Sequence, residues 1–99
     1  PAIPGLVKML GQGAQSSSAF YAQAALEKIG AAAVPALMAA AEKGGSLPAR
    51  QRAVLALGSI ADTRALRLLE NLSSAQTDRT LRSAAERALR QVREGRRVG

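Results

Sequence analysis

Apolar residues recur along this chain at the spacing of one helix face, and the same face returns three times. A shift of 31 residues lays Ala22, Ala25, Leu26 and Ile29 under Ala53, Ala56, Leu57 and Ile60, and a further 32 residues bring Ala85, Ala88, Leu89 and Val92 into the same columns. A second face repeats beside the first. Ala2, Ile3, Pro4, Gly5 and Leu6 align with Ala33, Val34, Pro35, Ala36 and Leu37, and both sets align with Ala65, Leu66, Arg67, Leu68 and Leu69 once one residue is inserted in the turn. A period in the low thirties carrying two amphipathic faces predicts a helical solenoid, because each helix pair leaves an apolar face that only a neighbouring copy covers.

The pattern predicts six helices. The first, over residues 2–10, turns Ile3, Leu6 and Leu10 inward with Met9 beside them. The second, over 18–29, carries Phe20 or Tyr21 with Ala22, Ala25, Leu26 and Ile29 on its apolar face, and Gly30 ends it in the left-handed conformation that glycine adopts cheaply. The third, over 33–42, has Pro35 in its first turn, Val34, Leu37 and Ala40 inward, and Met38 and Ala39 outward. The fourth begins at Leu47 and Pro48 and runs to Ile60. The fifth follows Asp62 as N-cap and buries Leu66, Leu69 and Leu72. The sixth, over 79–93, buries Leu81, Ala84 or Ala85, Ala88, Leu89 and Val92, after which residues 94–99 are expected to fray. Segments 11–18, 43–46 and 73–78 read as loops from their Gly and Ser content. The expected fold is an all-α, right-handed α-α superhelix of two and a half to three repeats, one domain over residues 1–99. The first helix lacks its repeat partner and the chain has no initiator Met, so a fragment of a larger solenoid is expected, with the uncovered first helix open to a homodimer contact.

The middle unit carries a resemblance. Arg50, Ala53, Ala56, Leu57, Gly58, Ile60, Asp62, Arg64 and Ala65 resemble, in type and spacing, the HEAT-like repeat of the phycobilisome-lyase type. The resemblance implies an α-α solenoid and a range of roles: bilin lyase subunits, metal-dependent hydroxylases, DNA-repair relatives and plain binding scaffolds. Metal-dependent relatives hold iron with His-Glu pairs, and this chain has no His, so that activity does not transfer. No pigment-binding residue set is recognisable, which leaves a lyase-like subunit of a bilin-attachment enzyme as the third reading. The resemblance also implies that Asp62 pairs with Arg82 or Arg50, and that Arg64 belongs to the turn.

Composition narrows the chemistry further. Without Cys or His there is no disulfide, thiol or imidazole chemistry and no ordinary transition-metal site. The carboxylates Glu27, Glu42, Asp62, Glu70, Asp78, Glu86 and Glu94 are spread over caps and helix exteriors, so paired acid–base work is not expected. Tyr21 reads as a packing or edge residue. The expectation is a protein that is not an enzyme and has no cofactor and no metal site. Charge, Gly and Pro interrupt each apolar run before the ~20 residues that span a bilayer, and no signal peptide is visible, so no membrane partner and a cytoplasmic location are expected.

Two surfaces remain. Net charge is +7, but residues 1–49 hold three Lys and two Glu, whereas residues 50–99 hold eleven Arg and five acids. Arg79, Arg82, Arg90, Arg93 and Arg97 fall within an arc of about 80° on the sixth helix, with Glu86 inside it. Such a stripe fits a phosphate backbone, which makes non-specific nucleic-acid binding the alternative function, although a solvated end-cap or an Arg-rich composition explains it equally. The other surface belongs to the second helices, expected to line the concave side. Its outward positions are Val7 and Lys8, then Met38, Ala39 and Glu42, then Arg67, Glu70 and Asn71. An outward Met among small neighbours suits a partner helix or peptide, so the leading expectation is a protein–protein interaction scaffold with a protein partner on that face.

Overall fold

Small residues at the repeated positions let the helices form where the spacing predicts them and then approach closely. The computed structural model describes residues 2–11, 17–43, 46–74 and 78–98. Among these residues lie six α-helices and no strand: α1 (Ala2–Met9), α2 (Ser17–Ile29), α3 (Val34–Lys43), α4 (Leu47–Ile60), α5 (Leu66–Ser74) and α6 (Arg79–Val98). Short 3-10 turns, Gly30–Ala33 and Thr63–Ala65, lead into α3 and α5. The predicted loops fall largely outside the described residues. The sixth helix does not stop near Arg93; its backbone runs on to Val98.

Local chemistry explains the boundaries. Ser46 caps α4 by accepting from Ala49 N at 3.3 Å, with Pro48 in the first turn. Asp78 caps α6 by accepting from Thr80 N and Leu81 N at 2.9 and 3.2 Å. Gly30 leaves α2 with φ +74°, and Ala61, one period later, leaves α4 with φ +60°. The turn geometry therefore repeats even where the glycine does not, and Ala61 holds a conformation that its Cβ disfavours.

The repeated positions are the core. Ala22, Ala53 and Ala85 are buried, as are Leu26, Leu57 and Leu89, with Leu10, Val34, Leu37, Leu69, Leu72, Leu81 and Val92 around them. Other positions add to the prediction, among them Ala19, Ala33, Ala41, Ala49, Val54, Ala65 and Leu68, while Ile29 is exposed. The second helix departs from it. Its inward face is Ala19, Ala22 and Leu26, so Phe20 and Tyr21 stand 60% and 69% exposed. Alanine-sized contacts on that face leave no room for an aromatic ring.

Helices adjacent in sequence across a short turn are not the ones that pack along each other. α1 lies along α2, α3 along α4 and α5 along α6, whereas α4 and α5 have almost no contact beyond their turn. The hairpins thus close across the longer loops. They stack in two layers, α2/α4/α6 and α1/α3/α5, in a molecule measuring 31 × 31 × 19 Å, the short dimension being that of two helices.

The two layers are not equally tight. α4 and α6 make the most extensive helix contact in the molecule, while α3 and α5 barely meet; α2 with α4 likewise exceeds α1 with α3. The longest helices, α4 and α6, thus share the widest contact, and the second helices α1, α3 and α5 form the other layer. The tight approach has a specific cause. A Cβ at Gly58 would lie 2.8 Å from both Cα and Cβ of Ala88 and would also meet Gln91 Oε1.

The stretch Ser18–Lys43 also corrects an expectation. It is long and apolar enough by composition to cross a membrane, with a mean hydropathy of 1.4. It is two helices joined at Gly30, and α2 and α3 each pack on α4.

Opposite effects are expected at the two special backbone positions. Gly58→Ala forces α6 away from α4 and is expected to cost about 2 kcal/mol, whereas Ala61→Gly relieves the left-handed strain and is expected to gain about 0.5–1 kcal/mol. Urea midpoints of the two variants against the parent check both signs.

Candidate groove between the third and fifth helices

A hollow of about 410 Å³ opens between α3 and α5, which barely meet. Met38, Ala39 and Glu42 line it from α3; Arg67, Leu68 and Asn71 line it from α5, and Arg64 from the turn before α5. Met38 is half-buried and Leu68 is buried, giving an apolar floor, while Glu42, Arg67 and Asn71 are exposed at the rim. Five predicted surface residues, Met38, Ala39, Glu42, Arg67 and Asn71, thus share one groove. Val7 and Lys8 do not reach it, since they lie on α1 beyond α3. Glu70 is turned aside: its carboxylate accepts from Arg93 Nη2 at 3.3 Å and holds α5 against α6. Sequence reasoning assigned Arg64 to the turn but placed neither Arg64 nor Leu68 on this surface, although the one-residue insertion in this turn was the available signal.

The turn below the groove is held by an ion pair. Asp62 Oδ1 accepts from Arg64 N at 2.8 Å and from Arg64 Nε at 3.1 Å, and Oδ2 accepts from Nη2 at 3.0 Å. The same Nη2 donates to Ala31 O at 2.9 Å, tying this turn to the equivalent turn one repeat earlier. The Arg64 guanidinium, helped by the Arg64 backbone N–H, holds the Asp62 carboxyl below its ordinary value of 3.8, and Asp62 in turn raises Arg64. Asp62 therefore pairs with Arg64. The expected pairing with Arg82 or Arg50 does not form: Arg50 Nε is directed instead to Ala41 O at 2.9 Å, in the last turn of α3, and Arg82 makes no ion pair among the described residues.

A buried arginine completes the set. Arg52 is 7% exposed; its Nη1 donates to Leu10 O at 2.7 Å, just past the end of α1, and its guanidinium lies 5.5 Å from the centre of the Phe20 ring. Sequence reasoning missed it because its repeat equivalents are Tyr21 and Ala84. Arg50 and Arg52 donate to carbonyls at helix ends, and Arg64 is a second donor to Ala31 O, which also accepts from Val34 N.

Two helices per period, stacked hairpins and arginines that tie successive turns are now all in view, and residues 3–90 match the family profile of HEAT repeats. The chain belongs to the HEAT repeat family. No curated protein and no solved structure matches it. HEAT repeats commonly serve as protein-interaction scaffolds, and the family is generally non-catalytic. The profile is that of HEAT repeats at large and does not single out the phycobilisome-lyase type.

Within this HEAT repeat chain the predicted basic stripe is divided. Arg79 and Arg90 are exposed and make no ion pair among the described residues, Arg82 is half-buried, and Arg93 is engaged by Glu70. The Arg97 side chain lies outside the described residues. Glu86, Arg90, Arg93 and Glu94 line a shallow hollow, so acids interleave with the bases there. Among the described residues no three His, Cys, Asp or Glu side chains come together as metal ligands.

The turn contacts yield two expectations. A carboxylate with a depressed pKa stabilises the fold above its ordinary range and loses that contribution as pH falls through the folded value. Asp62→Asn is therefore expected to be less stable than the parent at neutral pH and to converge with it in acid, below about pH 4, as read by thermal melts across pH. Arg52→Met leaves Leu10 O buried without its donor and is expected to cost about 2–3 kcal/mol in denaturant unfolding, with Arg52→Lys restoring only part.

Proposed function

We propose that this HEAT repeat chain is a non-catalytic protein-binding scaffold whose α3–α5 groove receives an apolar side chain from a partner helix or peptide. The observation that carries the reading is the convergence of Met38, Ala39 and Leu68 as a floor beneath the polar rim of Glu42, Arg67 and Asn71. An adaptable thioether beside an alanine accepts apolar side chains of differing shape. The size of the hollow, about 410 Å³, suits one or two anchoring side chains with the remainder of the partner lying across the rim. The base matters equally, since Arg64 ties the turn before α5 to the turn before α3 and Arg50 ties α4 to the last turn of α3.

The nucleic-acid reading keeps fewer residues than its sequence pattern offered, with Arg93 committed to Glu70 and acids interleaved along α6. The phycobilisome-lyase reading rests on the repeat pattern alone, which is best matched over residues 50–65.

Helical peptides selected from a displayed library on the parent chain are expected to lose most of their binding to Met38→Asp, while the circular dichroism of that variant stays helical. Unchanged binding would remove the groove from the function. A short DNA duplex titrated at about 50 and about 200 mM salt is expected to show no salt-sensitive micromolar binding. Steep salt dependence there would return the arginines of α6 to first place.

A further inference from the structure

We infer that the α3–α5 groove is electrically polarised along its length and takes a helix that carries one acidic and one basic residue about two turns apart on either side of its apolar anchor. The inference rests on the groove reading above and adds the chemistry of the partner.

Successive repeats place α3 and α5 in equivalent positions, so the two helices run in the same direction. Arg67 occupies the repeat position of Pro35, in the first turn of α5, whereas Glu42 is the next-to-last residue of α3. The separation along the groove from the level of Arg67 to that of Glu42 is therefore seven residues, about 10 Å of helix rise. Neither charge is spent internally: among the described residues Glu42 and Arg67 have no ion-pair partner. The other cation at the Arg67 end, Arg64, is neutralised by Asp62. Lys43 follows Glu42 but does not line the hollow. Helix dipoles act in the same sense, because Arg67 sits at the positive start of α5 and Glu42 at the negative end of α3.

Between the charges lie Met38, Ala39 and Leu68, with nothing ionisable. An occupant that is uniformly acidic gains at one end and is repelled at the other, and a uniformly basic one fares no better. A helix with an acid at the Arg67 end and a base seven positions away meets both, on the same side as its apolar anchor. Exposed pairs are each worth little, so the groove supplies affinity through the anchor and uses the two charges to set register.

The test is selection of a displayed library of short amphipathic helices on the parent chain, followed by reselection on Arg67→Glu, an exposed position whose variant is checked for helicity. Enriched sequences are expected to share an apolar anchor flanked by an acid and a base seven positions apart. Reselection is expected to replace that acid with a base, and peptides from the first selection should bind Arg67→Glu about fivefold more weakly. Anchored sequences that are lost on Met38→Asp yet show no charge preference would overturn the polarity while leaving the groove in place. Sequences indifferent to Met38→Asp, or no enrichment at all, would overturn the groove reading and this inference with it.

Discussion

At Gly58 the space of a side chain is occupied by the backbone and methyl of Ala88, and the most extensive helix contact among the described residues is built on that vacancy. Apposed helices with Ala53, Ala56 and Gly58 on one side and Ala85 and Ala88 on the other approach until their backbones nearly touch. Dispersion contacts grow with that proximity, and interiors of this kind tolerate added volume poorly. α3 and α5, by contrast, barely meet.

Arginine secures what alanine brings together. A stack of short helices multiplies helix ends, and each end leaves carbonyls without intrahelical donors. Arg52 answers Leu10 and Arg50 answers Ala41, while Arg64 adds a second donor to Ala31 O, which already accepts from Val34 N; each bond crosses a boundary between helices. A planar guanidinium suits this work because it can hold a carboxylate and a carbonyl at once, as Arg64 does. Part of the strong positive charge is therefore structural, and the sign of the whole molecule is a poor guide to its partners.

The groove lies where α3 and α5 barely meet, and Arg64, paired with Asp62, ties the turn before α5 to the turn before α3. An interaction surface on such a base needs little rearrangement on binding, which is where a scaffold of small, tightly stacked repeats has its advantage over a flexible loop.

The period and helix faces were legible in the sequence because they depend on local spacing: Ala22, Leu26, Ala53, Leu57, Ala85 and Leu89 are buried as their columns predict, and Gly30 ends its helix as its backbone freedom allows. Grouping of Met38, Ala39, Glu42, Arg67 and Asn71 was legible for the same reason, since equivalent positions in a repeat must lie side by side. The close approach of α4 and α6 was not, because it depends on which small residues face each other between helices, as Gly58 faces Ala88. Nor were the partners of long side chains legible. Asp62 chose Arg64 over Arg82, Glu70 left the groove for Arg93, and Arg52 turned inward to Leu10, because a guanidinium several bonds from its backbone goes wherever the tertiary structure leaves a carboxylate or carbonyl unpaired.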